Sequence, residues 1–212
     1  FLLESPLEIE INAIVSDING YGVSCNGGSD GYIVLEGEGG SGSYTYSWSN
    51  NQESAVISDL SAGSYSVTVT DTDGCVVIDS FDIIEPDEIT IEADISNYGG
   101  YGVSCNGGND GFIDITVQGG VGNYFIDWDA WTGTEDLYDI EPGEYEVTVE
   151  DEEGCQEVAQ FVISEPDELE FEVFVSDVSC FGAVGSATLV MSGGYGSYAY
   201  NDFTFDDDGI FI

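Results

Sequence analysis

The sequence has no lysine, no arginine and no histidine, set against 43 aspartates and glutamates in 212 residues, a formal net charge of −43. Every fixed charge has the same sign. Nucleic acid is gripped through Lys and Arg, so binding to it is excluded, and anionic lipid surfaces repel such a chain. The usual general base, Schiff-base amine and oxyanion clamp are missing too. Carboxylates, Tyr and Cys are the only catalytic candidates left, and the chain is expected not to be an enzyme. Without lysine there is no Lys–Asn isopeptide crosslink, so a covalent staple must be a disulfide. No run of about 18 apolar residues occurs and the first residues lack a basic n-region. Direct membrane insertion is not expected, and targeting signals are expected outside this stretch.

What is present points to a folded protein. Apolar residues make up 42% of the chain and aromatics 13%, more than disordered acidic segments carry. Self-repulsion should destabilise compact states unless counter-ions gather on the carboxylates, so divalent cations or high salt are the expected surroundings.

An 80-residue unit is written twice without insertion or deletion. Cys25 and Cys105, Trp48 and Trp128, Tyr65 and Tyr145, Cys75 and Cys155, and Pro86 and Pro166 are each 80 positions apart. Self-similarity at a fixed period signals a modular array. Residues 1–5 are read as the end of a preceding repeat, 6–85 as repeat 1, 86–165 as repeat 2 and 166–212 as an incomplete repeat 3. The first strands of a sandwich in repeat 3 are expected to be completed from elsewhere.

Within each unit the alternation has period 2, the mark of half-buried strands. First strands are expected at Leu7–Ile11, Ile89–Glu92 and Leu169–Glu172, with apolar residues on one face and carboxylates on the other. Further strands follow at Tyr32–Leu35, Tyr44–Trp48, Ala55–Leu60, Ser64–Thr70 and Val76–Ile84, separated by Gly, Ser, Asn and Asp clusters. The fold class expected is all-β, as tandem immunoglobulin-like β-sandwich modules in a linear array. Leu60-Ser-Ala-Gly63-Ser-Tyr65-Ser-Val67, matched by Ile140-Glu-Pro-Gly143-Glu-Tyr145-Glu-Val147, places a Tyr at a strand entrance after a Gly turn. That is either a tyrosine corner or an ordinary buried Tyr. Trp48 and Trp128 are read as core.

The cysteines pair by register. Cys25 with Cys75 and Cys105 with Cys155 are each 50 apart, which leaves Cys180 over. The alternative is buried thiols. Two cysteines per unit without His or a close CxxC supply too few ligands for zinc. Disulfides imply an oxidising compartment outside the cytoplasm.

Val23-Ser-Cys25-Asn-Gly-Gly-Ser-Asp30-Gly31, Gly39-Gly40-Ser-Gly-Ser-Tyr44-Thr-Tyr46-Ser-Trp48, the Leu60–Asp71 stretch, Gly74-Cys75 and Glu85-Pro86 together resemble the SprB repeat family. That family occurs in very large secreted surface proteins of Bacteroidetes, including the gliding-motility adhesin. The third copy departs from the pattern, with Phe-Gly-Ala-Val-Gly after Cys180 and Asp202 in place of the Trp. The resemblance implies a secreted, extracellular, cell-surface protein exported by the type IX system and serving adhesion or surface motility. It names no ligand and no catalytic residue.

Three sets of candidate site residues remain. Asn26, Asp30, Asp71 and Asp73 would converge if Cys25 bonded Cys75, and copy two offers Asn106, Asp110 and Asp151. Calcium takes six to eight oxygens of this kind, whereas the plain alternative is Asp-Gly turn chemistry. At the junctions, Glu85, Asp87 and Glu88, and likewise Glu165, Asp167 and Glu168, crowd around a proline. They either hold a cation or form a solvated, stiff linker. Tyr98, Tyr101, Trp131 and Tyr138 lie in or beside loops where a sugar could stack, with Trp131 and Tyr138 the ligand-binding candidates. The function expected is a structural or adhesive stalk or fibre, whose partners are neighbouring repeats. The alternatives are a carbohydrate-binding array on surface glycans and a filament whose copies share strands.

Overall fold

The computed structural model describes residues 7–128, 131–132, 134–176 and 185–198, with the backbone alone at 131–132. Every regular element among them is a strand. The first copy supplies β1 (Glu10–Val15), β2 (Gly31–Glu38), β3 (Tyr44–Trp48), β4 (Val56–Leu60), β5 (Gly63–Asp71) and β6 (Val76–Ile83). The second supplies β7 (Thr90–Ile95), β8 (Gly111–Gln118), β9 (Phe125–Trp128), β10 (Trp131–Thr132), β11 (Leu137–Ile140), β12 (Gly143–Glu150) and β13 (Gln156–Ile163). In the third, β14 (Glu170–Ser176) and β15 (Ser186–Ser192) pair antiparallel.

The sheets repeat as the sequence does. Copy one has sheets in the orders β1-β2-β4 and β3-β5-β6, and copy two has β7-β8-β11 and β10-β9-β12-β13. The fold is all-β, built of small antiparallel sheets of the kind that make β-sandwich modules. Contacts divide the chain into two compact units. One comprises Phe1–Glu92, Thr116–Gly133 and Val147–Ala159, and the other Ala93–Ile115, Thr134–Glu146 and Gln160–Ile212.

In the first unit, both sheets of copy one send side chains into one core. Ile33 and Leu35 come from β2, Ile57 and Leu60 from β4, Trp48 from β3, Val67 and Val69 from β5 and Ile83 from β6, joined by Val23. The period-2 pattern accounts for this: in β2 residues 31, 33 and 35 are buried while 32 and 36 are exposed. Trp48 is only 3% exposed, its indole N–H donates to Ser54 O at 2.9 Å, and its ring lies 6.2 Å from that of Phe81. It is a core residue. Trp128, Val147 and Val149 of copy two are likewise buried in this unit. The second unit buries Val103, Ile113, Ile115, Leu137, Ile140 and Ile163.

The tyrosine corners are present. Tyr65 Oη donates to Ser61 O at 2.9 Å, and Tyr145 Oη donates to Glu141 O at 2.7 Å. Burial, with the nearby Glu141 charge second, raises the Tyr145 phenol above its ordinary pKa. Tyr65→Phe deletes one hydrogen bond and little packing, so it is expected to cost about 1 kcal/mol, read as a lower denaturant midpoint. An unchanged midpoint would reduce Tyr65 to ordinary packing.

The first strands begin later than the alternation predicts. Leu7 is exposed rather than buried, and its carbonyl accepts the Gly40 N–H at 3.0 Å, so this stretch docks on the Gly39–Gly40 turn before the ladder opens at Glu10↔Glu38. That docking needs glycine. A Cβ on Gly39 would stand 2.0 Å from Glu8 O, and one on Gly119 would stand 1.9 Å from Glu88 O. Both residues also have positive φ, where glycine is the default.

Candidate functional site

Strand direction decides where the cysteines lie. β5 and β6 pair from Thr70↔Val76 at one end to Gly63↔Ile83 at the other. Cys75 stands just before β6, at the first end. The Cys25 turn stands at the opposite end, because Gly22 N–H donates to Ile84 O at 2.8 Å and Gly27 N–H to Glu85 Oε2 at 2.7 Å. A strand like β6 spans about 26 Å at 3.3 Å per residue. Disulfide-bonded Cα atoms lie within about 7 Å, so Cys25 and Cys75 are out of reach of one another.

Cys25 instead bonds Cys155, 130 residues away. The pairs expected within each copy, Cys25 with Cys75 and Cys105 with Cys155, are replaced by a single bond that crosses the repeat boundary. Cys75 and Cys105 are exposed free thiols. Cys180 lies outside the described residues.

The bond belongs to a clamp built from three short segments. The Cys25 turn follows the buried Val23 and is held by Asp30, whose Oδ1 accepts the Ser24 N–H at 3.1 Å. The linker folds back on this turn: Asn26 Nδ2 donates to Pro86 O at 3.0 Å, and Glu85 takes the Gly27 N–H described above. Pro86 is fully buried, while Glu85, Asp87 and Glu88 face solvent. Asp87 O then accepts the Gly120 N–H at 2.8 Å, seating the linker on the second copy. The third segment is the turn 151–155. Asp151 Oδ1 accepts the N–H groups of Glu153 and Cys155 at 2.9 Å each, and its Oδ2 accepts that of Val121 at 2.8 Å. Asn19 Nδ2 adds a bond to Glu153 Oε1 at 2.6 Å. A cavity of about 350 Å³ lies beside the disulfide, between Asn26, the Pro86–Ile89 linker and Gly154–Glu157.

The acidic turns do come together, though not within a copy. Asn26 and Asp30 share one end of the first copy with Glu85, while Asp71 and Asp73 sit at the other; what meets the Asn26 turn is the Asp151 turn of copy two. Asp71 is the local counterpart of Asp151, accepting the N–H groups of Cys75 at 2.8 Å, Asp73 at 3.0 Å and Ser41 at 3.1 Å. Burial pushes its pKa up, but these three donors together outweigh it and hold the carboxyl below the ordinary value. Asp30 and Asp110 are also lowered, chiefly by the backbone N–H groups of Ser24 and Ser104. In copy two, Asn106 Nδ2 donates to Pro166 O and Gly107 N–H to Glu165 Oε2, and Asp167 O accepts the Gly194 N–H. Glu168 and Asp167 are exposed. Among the described residues, no three Asp, Glu or Cys side chains form a group that could hold a metal ion.

The Asp71 network has a pH signature. A carboxyl lowered in the folded state stabilises above the unfolded pKa of about 3.9 and stops stabilising as pH falls through the lowered value. The advantage of wild type over Asp71→Asn is therefore expected to be full at neutral pH and to vanish in acid. Denaturant midpoints followed by fluorescence in dilute protein, since the pI is about 4.1, check this. A pH-independent difference would remove the carboxylate from the explanation.

The aromatic candidates separate. Tyr98 Oη donates to Asp110 O at 3.0 Å, and Tyr101 meets Tyr195 edge-on at 6.0 Å, so both take part in local structure. Tyr138 is exposed and stacks on its cross-strand partner Phe112 at 6.2 Å, with its hydroxyl 3.3 Å from Asp114 Oδ2. The Trp131 side chain lies outside the described residues. Sequence reasoning placed Glu153 at the Asp73 position of copy two but missed Asn19 and the contact between them, which spans 134 positions. Nothing in either copy's own pattern signals it.

A family model for the SprB repeat matches residues 23–53 and 103–133. These are the same stretch of each copy, from Val23 or Val103 through the cysteine turn and the buried Trp. No curated protein matches the chain. The match begins at the turn that forms one jaw of the clamp and recurs at the 80-residue period, so the chain is similar to the SprB repeat at the same place in each copy.

Proposed function

We propose that the chain is a segment of a non-enzymatic extracellular stalk or fibre, which carries an adhesive part on a cell surface and serves adhesion or gliding motility. The observation that carries this reading is the covalent bond across the repeat boundary. A bond within a copy stabilises that copy alone, whereas Cys25–Cys155 ties one repeat covalently to the next. The buried Pro86 and the Asn26 and Glu85 hydrogen bonds support the same junction without it. Type IX export belongs to the same proposal, supported by the likeness to the SprB repeat, and an extracellular location is supported by that likeness and by the disulfide, which an oxidising compartment favours. Immunolabelling of intact source cells tests the location, and signal that appears only after permeabilisation would overturn it.

Carbohydrate binding is a second reading, favoured by the exposed Tyr138 stacked on the half-buried Phe112 beside Asp114. Retention on a glycan array that is lost in Tyr138→Ala supports it.

With every charge negative, the melting midpoint is expected to rise with sodium chloride, as screening shortens the reach of repulsion from about 10 Å at 0.1 M to about 3 Å at 1 M. Calcium chloride at matched ionic strength tests the proposal that calcium binds the solvent-facing junction carboxylates. A further rise that a chelator reverses supports it, and identical midpoints assign the whole effect to screening.

A further inference from the structure

The second junction repeats one jaw of the first. Gly108 N–H donates to Cys105 O at 2.9 Å as Gly28 N–H does to Cys25 O, and the Ser104 hydroxyl approaches the Cys105 sulfur at 3.7 Å as Ser24 does in copy one. Asn106, Glu165 and the buried Pro166 reproduce the linker contacts of Asn26, Glu85 and Pro86. Beside Cys105 opens a cavity of about 530 Å³, bordered by Asn106, the Pro166–Leu169 linker, Met191, Gly194 and Tyr195. The cavity at the first junction has the same floor, but Gly154, Cys155, Gln156 and Glu157 wall it. Among the described residues, no Asp-x-x-Gly-Cys turn borders the larger one. Such a turn is present elsewhere as a free jaw: Asp71 holds the N–H groups of Asp73 and Cys75 as Asp151 holds those of Glu153 and Cys155, and the Cys75 thiol is exposed.

We propose that the Cys105 cavity receives the Asp-x-x-Gly-Cys turn of an adjoining repeat, of which the Asp71–Cys75 turn is the example in this chain, and that the two cysteines then bond. Repeats would thus be joined in series, each giving one cysteine backwards and one forwards. The oxidant is a small-molecule disulfide. The Cys105 thiolate attacks it and releases one thiolate, and the incoming cysteine thiolate attacks the mixed disulfide and releases the second. The two thiol protons end on the released small thiols, so two protein thiols become one disulfide while one small disulfide becomes two thiols. The inference rests on the equivalence of the two junctions and is independent of the surface role proposed above.

A second copy of the chain serves as the probe. In a Cys180→Ser background, Cys75→Ser leaves only the cavity thiol and Cys105→Ser only the turn thiol, while Cys25–Cys155 is kept in both. Each variant is incubated alone and with the other, in oxidised glutathione at about 1 M salt to screen repulsion between the acidic chains. Non-reducing mass spectrometry is expected to find a Cys105–Cys75 heterodimer as the dominant product of the mixture, with dimer formation lost when either variant is alone. Dimers of one variant alone at a comparable level would show unselective thiol oxidation and overturn the proposal. Absence of the heterodimer would overturn it equally.

Discussion

Cys155→Ser is expected to lower stability by about 5 kcal/mol, because in the chain-entropy model that is the effect of a disulfide closing a loop of this length. For a chain of this size the melting midpoint should fall by roughly 10 to 20 °C, taking about 2 to 4 °C per kcal/mol. Cys25→Ser should match it. Cys75→Ser and Cys105→Ser should do almost nothing, since both thiols are exposed and unbonded. This pattern separates the bond across the boundary from one bond per copy, under which all four variants would lose comparable stability. Non-reducing peptide mapping with a Glu-specific protease gives the pairing directly, trypsin having no site in a chain without Lys or Arg. A Cys25–Cys75 peptide would sink the clamp. The reduced protein should keep its strands, because the core of copy one is apolar and does not depend on the bond, but it should lose the covalent coupling between copies.

The strands and the corner were legible in the sequence because they rest on local chemistry. Alternation in Ser64–Thr70 fixes which side chains face inward, with Val67 and Val69 buried, and the Gly63–Tyr65 spacing fixes a hydroxyl four residues from its acceptor. The start of β1 was not legible. Leu7-Glu8-Ile9 alternates like a strand, yet the close approach of Gly39 to Glu8 O ties this segment to a turn about thirty residues on. The disulfide was misread for a related reason: treating each 80-residue copy as closed makes the nearest cysteine in register the natural partner. The warning was present in the sequence. The strand-forming run Val76–Ile84 separates Cys75 from the Glu85–Pro86 junction by the length of a strand. What the sequence could not supply was that the Cys25 turn lies at that junction, which depends on Gly27 and Asn26 folding onto Glu85 and Pro86. The acidic residues follow the same logic. Their types were chosen correctly for turns, but Asp71 and Asp151 spend their oxygens on backbone N–H groups, a demand visible only once the β5–β6 and β12–β13 turns are built.

Trp48→Ala should be as damaging as loss of the disulfide, by a different route. Removing a buried aromatic typically costs 3–5 kcal/mol, the transfer term and the cavity adding together. Trp48 has little room for relief: Val67 and Val69 on β5, Ile33 on β2 and Ile57 on β4 belong to the same core, each almost wholly buried. The substitution also strands the Ser54 carbonyl that its indole N–H satisfies. Trp48→Phe retains most of the volume and loses that hydrogen bond, so it should fall between wild type and Trp48→Ala. The measurement is the denaturant midpoint in the oxidised protein, where Cys25–Cys155 holds the two copies together and the change reports on the core rather than on the junction. A Trp48→Ala protein as stable as wild type, with the part of the wild-type indole emission that Trp48→Phe removes open to quenching by neutral acrylamide, would move Trp48 from the core to the surface and reopen it as a ligand platform. Its position on β3, paired with Val67 across the ladder and turned inward on the first sheet, predicts the opposite: a large loss of stability and an indole shielded from the quencher.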